Sequence, residues 1–128
     1  MKQADLMDGE AKKLWITSAQ EFALRFGKWR DKVIASFSPE NQQAIHKFIH
    51  MQREGKWPEG VWFFEAGQRE ASRKWRDMPA MTFPDPMTPE GCASAISYVR
   101  GVMFVVEERM TELSAELSEA KPKSEGKK

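Results

Sequence analysis

The sequence predicts an all-α fold, an elongated bundle of about four helices with long first and last members, and three observations predict it. Cys92, Ile96, Val99, Met103, Val106, Met110, Leu113 and Leu117 recur at alternating steps of four and three, which puts them on one side of one helix. Trp15, Ala19, Phe22, Phe26, Trp29 and Val33 repeat the same alternation nearer the start. Three segments, Ser38-Pro39-Glu40, Trp57-Pro58-Glu59 and Thr88-Pro89-Glu90, place a proline at a first helical position and a carboxylate in the first turn. There the amide has no intrahelical partner and the helix dipole is positive.

The first helix is expected from an N-cap at Asp8 to about Phe37. Leu14, Ala23, Ile34 and Phe37 widen its apolar face beyond a strict coiled-coil stripe, as a helix touching two neighbours requires. Gly27 either costs that helix about 1 kcal/mol relative to alanine or marks a close backbone approach. The second helix should run from Pro39 to about Glu54, with Ala44, Ile45, Phe48 and Ile49 inward and Gly55 as its stop. The third should run from Pro58 to about Asp77, with Val61, Phe64, Gln68, Ala71 and Trp75 along one side; Trp57 is a poor cap for it. Prolines at 79, 84 and 86 then forbid a helix, leaving an extended connector. The fourth helix should run from Pro89 to about Glu119. One helical domain is expected over 1–119 and a disordered basic tail over 120–128.

Composition limits the function classes. The chain is 41% hydrophobic and 30% charged, the balance of a globular domain, with five Trp, eight Phe and eight Met but one Tyr. A net charge of +1 argues against global attraction to nucleic acid or acidic membranes, though not against a local patch. A single cysteine cannot form an internal disulfide, and the opening MKQADLMDGEAKK carries no apolar leader, so a cytoplasmic setting without membrane association is expected.

Chemistry-bearing constellations are weak. His46, His50 and Glu54 share a face of the second helix, but a zinc site wants three or four protein ligands and no further histidine or CxxC pair exists. Glu107, Glu108, Glu112, Glu116 and Glu119 fall on the outer sides of the last helix, as a solvated face. Cys92 lies on the apolar seam, where a small buried side chain fits better than a nucleophile. No phosphate-cradling glycine loop, serine elbow or dinucleotide fingerprint is present. The expectation is a non-enzyme with no cofactor, no metal and no small-molecule substrate.

Two binding readings remain. A thirty-residue helix is roughly 45 Å long, while a compact globule of this length is about 36 Å across. Either the first and last helices lie antiparallel and close the seam, or the seam Val99, Met103, Val106, Met110, Leu113 and Leu117 projects to meet another protein or a second copy. In the second case Arg100, Glu107, Arg109 and Glu116 would flank it. The leading expectation is a protein-interaction or assembly module, such as an adaptor, scaffold component or small protein inhibitor. The alternative is nucleic-acid binding through Arg69, Arg73, Lys74, Trp75 and Arg76, echoed by Lys28, Trp29 and Arg30, where cations would track phosphates while a tryptophan stacks on a base.

Overall fold

The computed structural model describes the backbone of residues 7–125 and the side chains of residues 7–119. Four helices follow one another: α1 (Gly9–Ala35), α2 (Pro39–Arg53), α3 (Pro58–Lys74) and α4 (Pro89–Glu125), with one turn of 3-10 helix at Met78–Ala80 in the last connector. No strand occurs among the described residues. α1 and α3 stop two or three residues short of the expected Phe37 and Asp77. α4 continues through 120–125, into the stretch expected as a disordered tail; residues 126–128 lie outside those described.

The helix ends follow from local chemistry. Asp8 accepts a hydrogen bond from the Ala11 amide at 2.8 Å, Ser38 from Asn41 at 3.3 Å and Thr88 from Gly91 at 3.0 Å, each capping a free N–H of the first turn. α2 stops at Gly55, whose φ of +74° suits a residue without Cβ. The Lys56 amide then reaches the Met51 carbonyl and the Gly55 amide that of Gln52, the paired bonds of a Schellman motif. Trp57 gives α3 no side-chain cap; its indole is buried against Phe48, ring centroids 4.7 Å apart, and lies over Gly60. It plugs that end with apolar area instead.

α4, 37 residues and about 55 Å long, is the axis: α1, α2, α3 and the connector all pack on it, while the first three helices meet one another far less. α1 runs antiparallel to it. At one end Lys12 pairs with Glu116 at 2.9 Å, and near the other Arg30 and Arg100 share a cavity wall. α3 runs parallel to α4, with Phe64 beside Gly101 and Trp75 beside Arg109, so the chain must return the full length of α3 before α4 begins. Residues 75–88 make that return along α1. Trp15 Nε1 donates to the Arg76 carbonyl at 3.2 Å, Arg25 Nη2 to that of Pro79 at 2.5 Å and Trp29 Nε1 to that of Pro84 at 2.8 Å. Phe83 stacks on Phe22 and Trp29, centroids 5.5 and 5.1 Å apart. These contacts hold in place a strap that, apart from the 3-10 turn at Met78–Ala80, its prolines keep from becoming helix.

The core is where the two seams meet. Trp15, Ala19, Phe22, Phe26 and Val33 of α1 are buried with Cys92, Ile96, Val99, Met103, Val106 and Leu113 of α4. Met110 is half-buried against the same cluster, and Leu117 comes within 3.8 Å of where a side chain on Gly9 would begin. The seam expected to project toward a partner is therefore covered by α1 and forms the core of one chain. Its flank residues are used within the chain as well, Glu116 by Lys12 and Arg109 by Trp75 and Glu112. Leu14, expected inward, is 62% exposed, because the α1 face that meets α4 is narrower than the composition suggested. Gly27 has open space where a Cβ would stand, so it marks no close approach.

Candidate functional site

The face of α3 turned away from α4 follows from the face that packs. Gly67 meets the α4 backbone at Tyr98 and Val102, Ala71 is fully buried and Gly60 is covered by the Trp57 ring, so this face of α3 is closed while Trp62, Arg69 and Arg73 stay exposed. These residues, with Glu65, Ala66, Glu70 and Tyr98 of α4, line an open groove of about 960 Å3. Trp62 stands at its head, 56% exposed and braced edge-on by Phe63 with centroids 5.0 Å apart. Tyr98 forms the α4 side, its phenol pKa raised by burial and next by the charge of Glu70.

The groove's charges are interleaved. Glu70 accepts from Arg73 at 2.6 Å and pairs with Lys74 at 3.0 Å, and hydrogen bonds from Lys74 and then Arg73 hold its carboxyl below the usual range. Arg69 is exposed and makes no ion pair among the described residues. Glu65 completes two cations facing two carboxylates among the lining side chains.

The five residues singled out on α3 thus separate. Arg69 and Arg73 belong to the groove, and Lys74 is tied to Glu70 at its edge. Trp75 is not available for stacking on a base: Trp15 meets it edge-on at 5.1 Å, while Arg109 and Arg76 lie over its ring at 4.3 and 5.5 Å. A partly buried tryptophan capped by cations is a joint between α1, α3 and α4. Arg76 is likewise bound into that joint, its own carbonyl accepting from Trp15. The echo of Lys74, Trp75 and Arg76 in Lys28, Trp29 and Arg30 has no structural counterpart, since Trp29 lies inside α1 and Trp75 at the end of α3. Sequence reasoning missed Trp62 and Tyr98; the spacing of Gly60, Gly67 and Ala71 was the signal that would have shown which face α3 buries.

Elsewhere, His50 meets Glu54 at 3.0 Å on the surface, while His46 lines a separate cavity. Among the described residues no three of His, Cys, Asp or Glu converge, and no helix is long and apolar enough to cross a membrane. Cys92 is fully buried, and burial pushes its thiol up to about 11. Compared with known proteins, the chain matches no family model, no curated sequence and no solved structure.

Proposed function

We propose that the chain is a non-catalytic protein-binding module, an adaptor, scaffold component or small inhibitor, that holds a segment of a partner protein across the Trp62 face of α3. The observation that carries this reading is Trp62 itself, more than half exposed at the head of a groove it shares with Tyr98, Arg69 and Arg73. Binding energy at protein interfaces concentrates on tryptophan, tyrosine and arginine. Cations alternating with Glu65 and Glu70 ask for a partner segment with an apolar anchor over Trp62 and charges of both signs beside it. A single buried thiol supports a reducing, cytoplasmic setting.

The test is affinity capture from source-cell extract with the wild type, Trp62→Ala, the pair Arg69→Glu with Arg73→Glu, and Leu24→Ala as an exposed apolar control. A partner lost by both α3 variants, kept by the control and reproduced with purified components supports the reading; retention by the α3 variants removes it. Light-scattering mass shows whether that partner is a second copy: a discrete multiple of 14.7 kDa that collapses to monomer in Trp62→Ala.

Nucleic-acid binding on the same face is a second reading, favoured by the exposure of Arg69, Arg73 and Lys74 beside a tryptophan. The carboxylates among them weigh against a polyanion. It requires affinity that falls steeply with salt and is lost in the double arginine variant, and binding indifferent to salt eliminates it.

A further inference from the structure

On a different side of the molecule, the junction of α1, α2 and α4 gathers three guanidinium groups around one cavity of about 480 Å3: Arg30 from α1, Arg53 from the last turn of α2 and Arg100 from the middle of α4. Their surplus charge is not neutralised. Among the described residues Asp31 is the one carboxylate on the wall, and it engages Arg30 at 3.4 Å. Arg53 and Arg100 make no ion pair among the described residues.

Arg100 carries the strongest sign of a missing counter-charge. It is half-buried, and its Nη1 is enclosed without a hydrogen-bond partner. Burial, then the charge of Arg53 and of Arg30, holds its pKa below the ordinary guanidinium value. A buried donor left unmade is costly, and like charges on three separate helices are brought together here by the fold and not by neighbouring positions in the chain. Ile34, Ile49 and Ile96 supply apolar wall between the arginines, which lowers the local dielectric and strengthens any ionic contact formed there.

Guanidinium forks match the paired oxygens of phosphates and carboxylates. Charge chooses between them. Three arginines against Asp31 leave two positive charges, and a phosphate monoester carries about −1.5 to −2 at neutral pH, where a single carboxylate carries one. His46, on the same wall, adds a further polar group beside them. The cavity is a half-open corner between helices, with room for one phosphoryl group and a small organic remainder. We propose that it binds a small phosphate monoester, whose phosphoryl oxygens are held by Arg30, Arg53 and Arg100.

The test uses the full chain. Thermal melts and titration calorimetry are run with inorganic phosphate and with glycerol 3-phosphate, against sodium chloride at equal ionic strength, on wild type, Arg53→Gln and Arg100→Gln. Both phosphate probes should raise Tm in a saturating way, the ester more strongly, and each variant should weaken binding tenfold or more while keeping its helical spectrum. Arg53 is exposed, so its variant decides the matter even if Arg100→Gln folds poorly. A phosphate response equal to that of chloride, or one that survives in Arg53→Gln, overturns the site. A response to inorganic phosphate with no gain from the ester overturns the ester assignment.

Discussion

Gly67 of α3 and Gly101 of α4 are reciprocal: each faces the other helix's backbone. A Cβ on Gly67 would run into the Tyr98 carbonyl and stand 3.0 Å from the Val102 amide nitrogen. One on Gly101 would run into the Phe64 carbonyl and stand 3.1 Å from the Gln68 nitrogen. Backbone, unlike a side-chain tip, cannot swing aside. Gly67→Ala and Gly101→Ala should therefore each destabilise the fold by about 2 to 3 kcal/mol or more, read as a fall in the urea midpoint.

Gly27 should respond in the opposite sense. It is also helical, but nothing lies within 4 Å of its absent Cβ. Gly27→Ala gains helix propensity without a clash and should stabilise by roughly 0.5 to 1 kcal/mol in the same titration.

The strap depends on Arg25, which donates to the Pro79 carbonyl and lies 5.4 Å from the Phe83 ring centroid. Arg25→Ala should cost about 1 to 2 kcal/mol. It should also speed proteolytic cleavage within residues 81–88, with the helices still formed by circular dichroism. An unchanged cleavage rate would show that the strap is held by its aromatic contacts alone.

Trp75→Ala and Trp62→Ala separate a joint from a surface. Removing Trp75 takes away the packing partner of Trp15 and Arg109 and should cost about 2 to 3 kcal/mol. Removing the exposed Trp62 should change stability by no more than about 0.5 kcal/mol. Equal losses would mean that the indole of Trp62 is also structural.

Stability should fall as pH rises from 9 to 11. Folding raises the Cys92 thiol from 9.0 to about 11 by burying it. Below pH 9 both states hold the proton; above it the unfolded chain ionises first and is favoured, by about 2 to 3 kcal/mol once pH exceeds the folded value. Tyr98, also raised, adds in the same direction. Denaturant titrations of wild type and Cys92→Ala at pH 8 and 10.5 should show a shallower decline in the variant.

The helices were legible because they are local events. Proline and the capping side chains of Asp8, Ser38 and Thr88 fix the starts, Gly55 fixes a stop, and the two seams announce which faces are buried. Whether the α4 seam met α1 or a partner was not legible, because a stripe of valine and methionine records the need for a cover and not its source. The arginine cavity was less visible still, since Arg30, Arg53 and Arg100 lie on three helices with no fixed spacing. Trp75 misled for a related reason: cations beside an aromatic ring read alike in a sequence whether they invite a base or seal a joint.

Because α4 is the common partner of every other element, the order of synthesis matters. A ribosome makes α1, α2 and α3 first, yet those helices meet one another far less than each meets α4. Condensation helix by helix from the N-terminus would therefore secure only a minor part of the final packing before α4 emerges. Until the α4 segment has been made, Ala19 and Val33 of α1 lack the seam that shares their core in the finished fold.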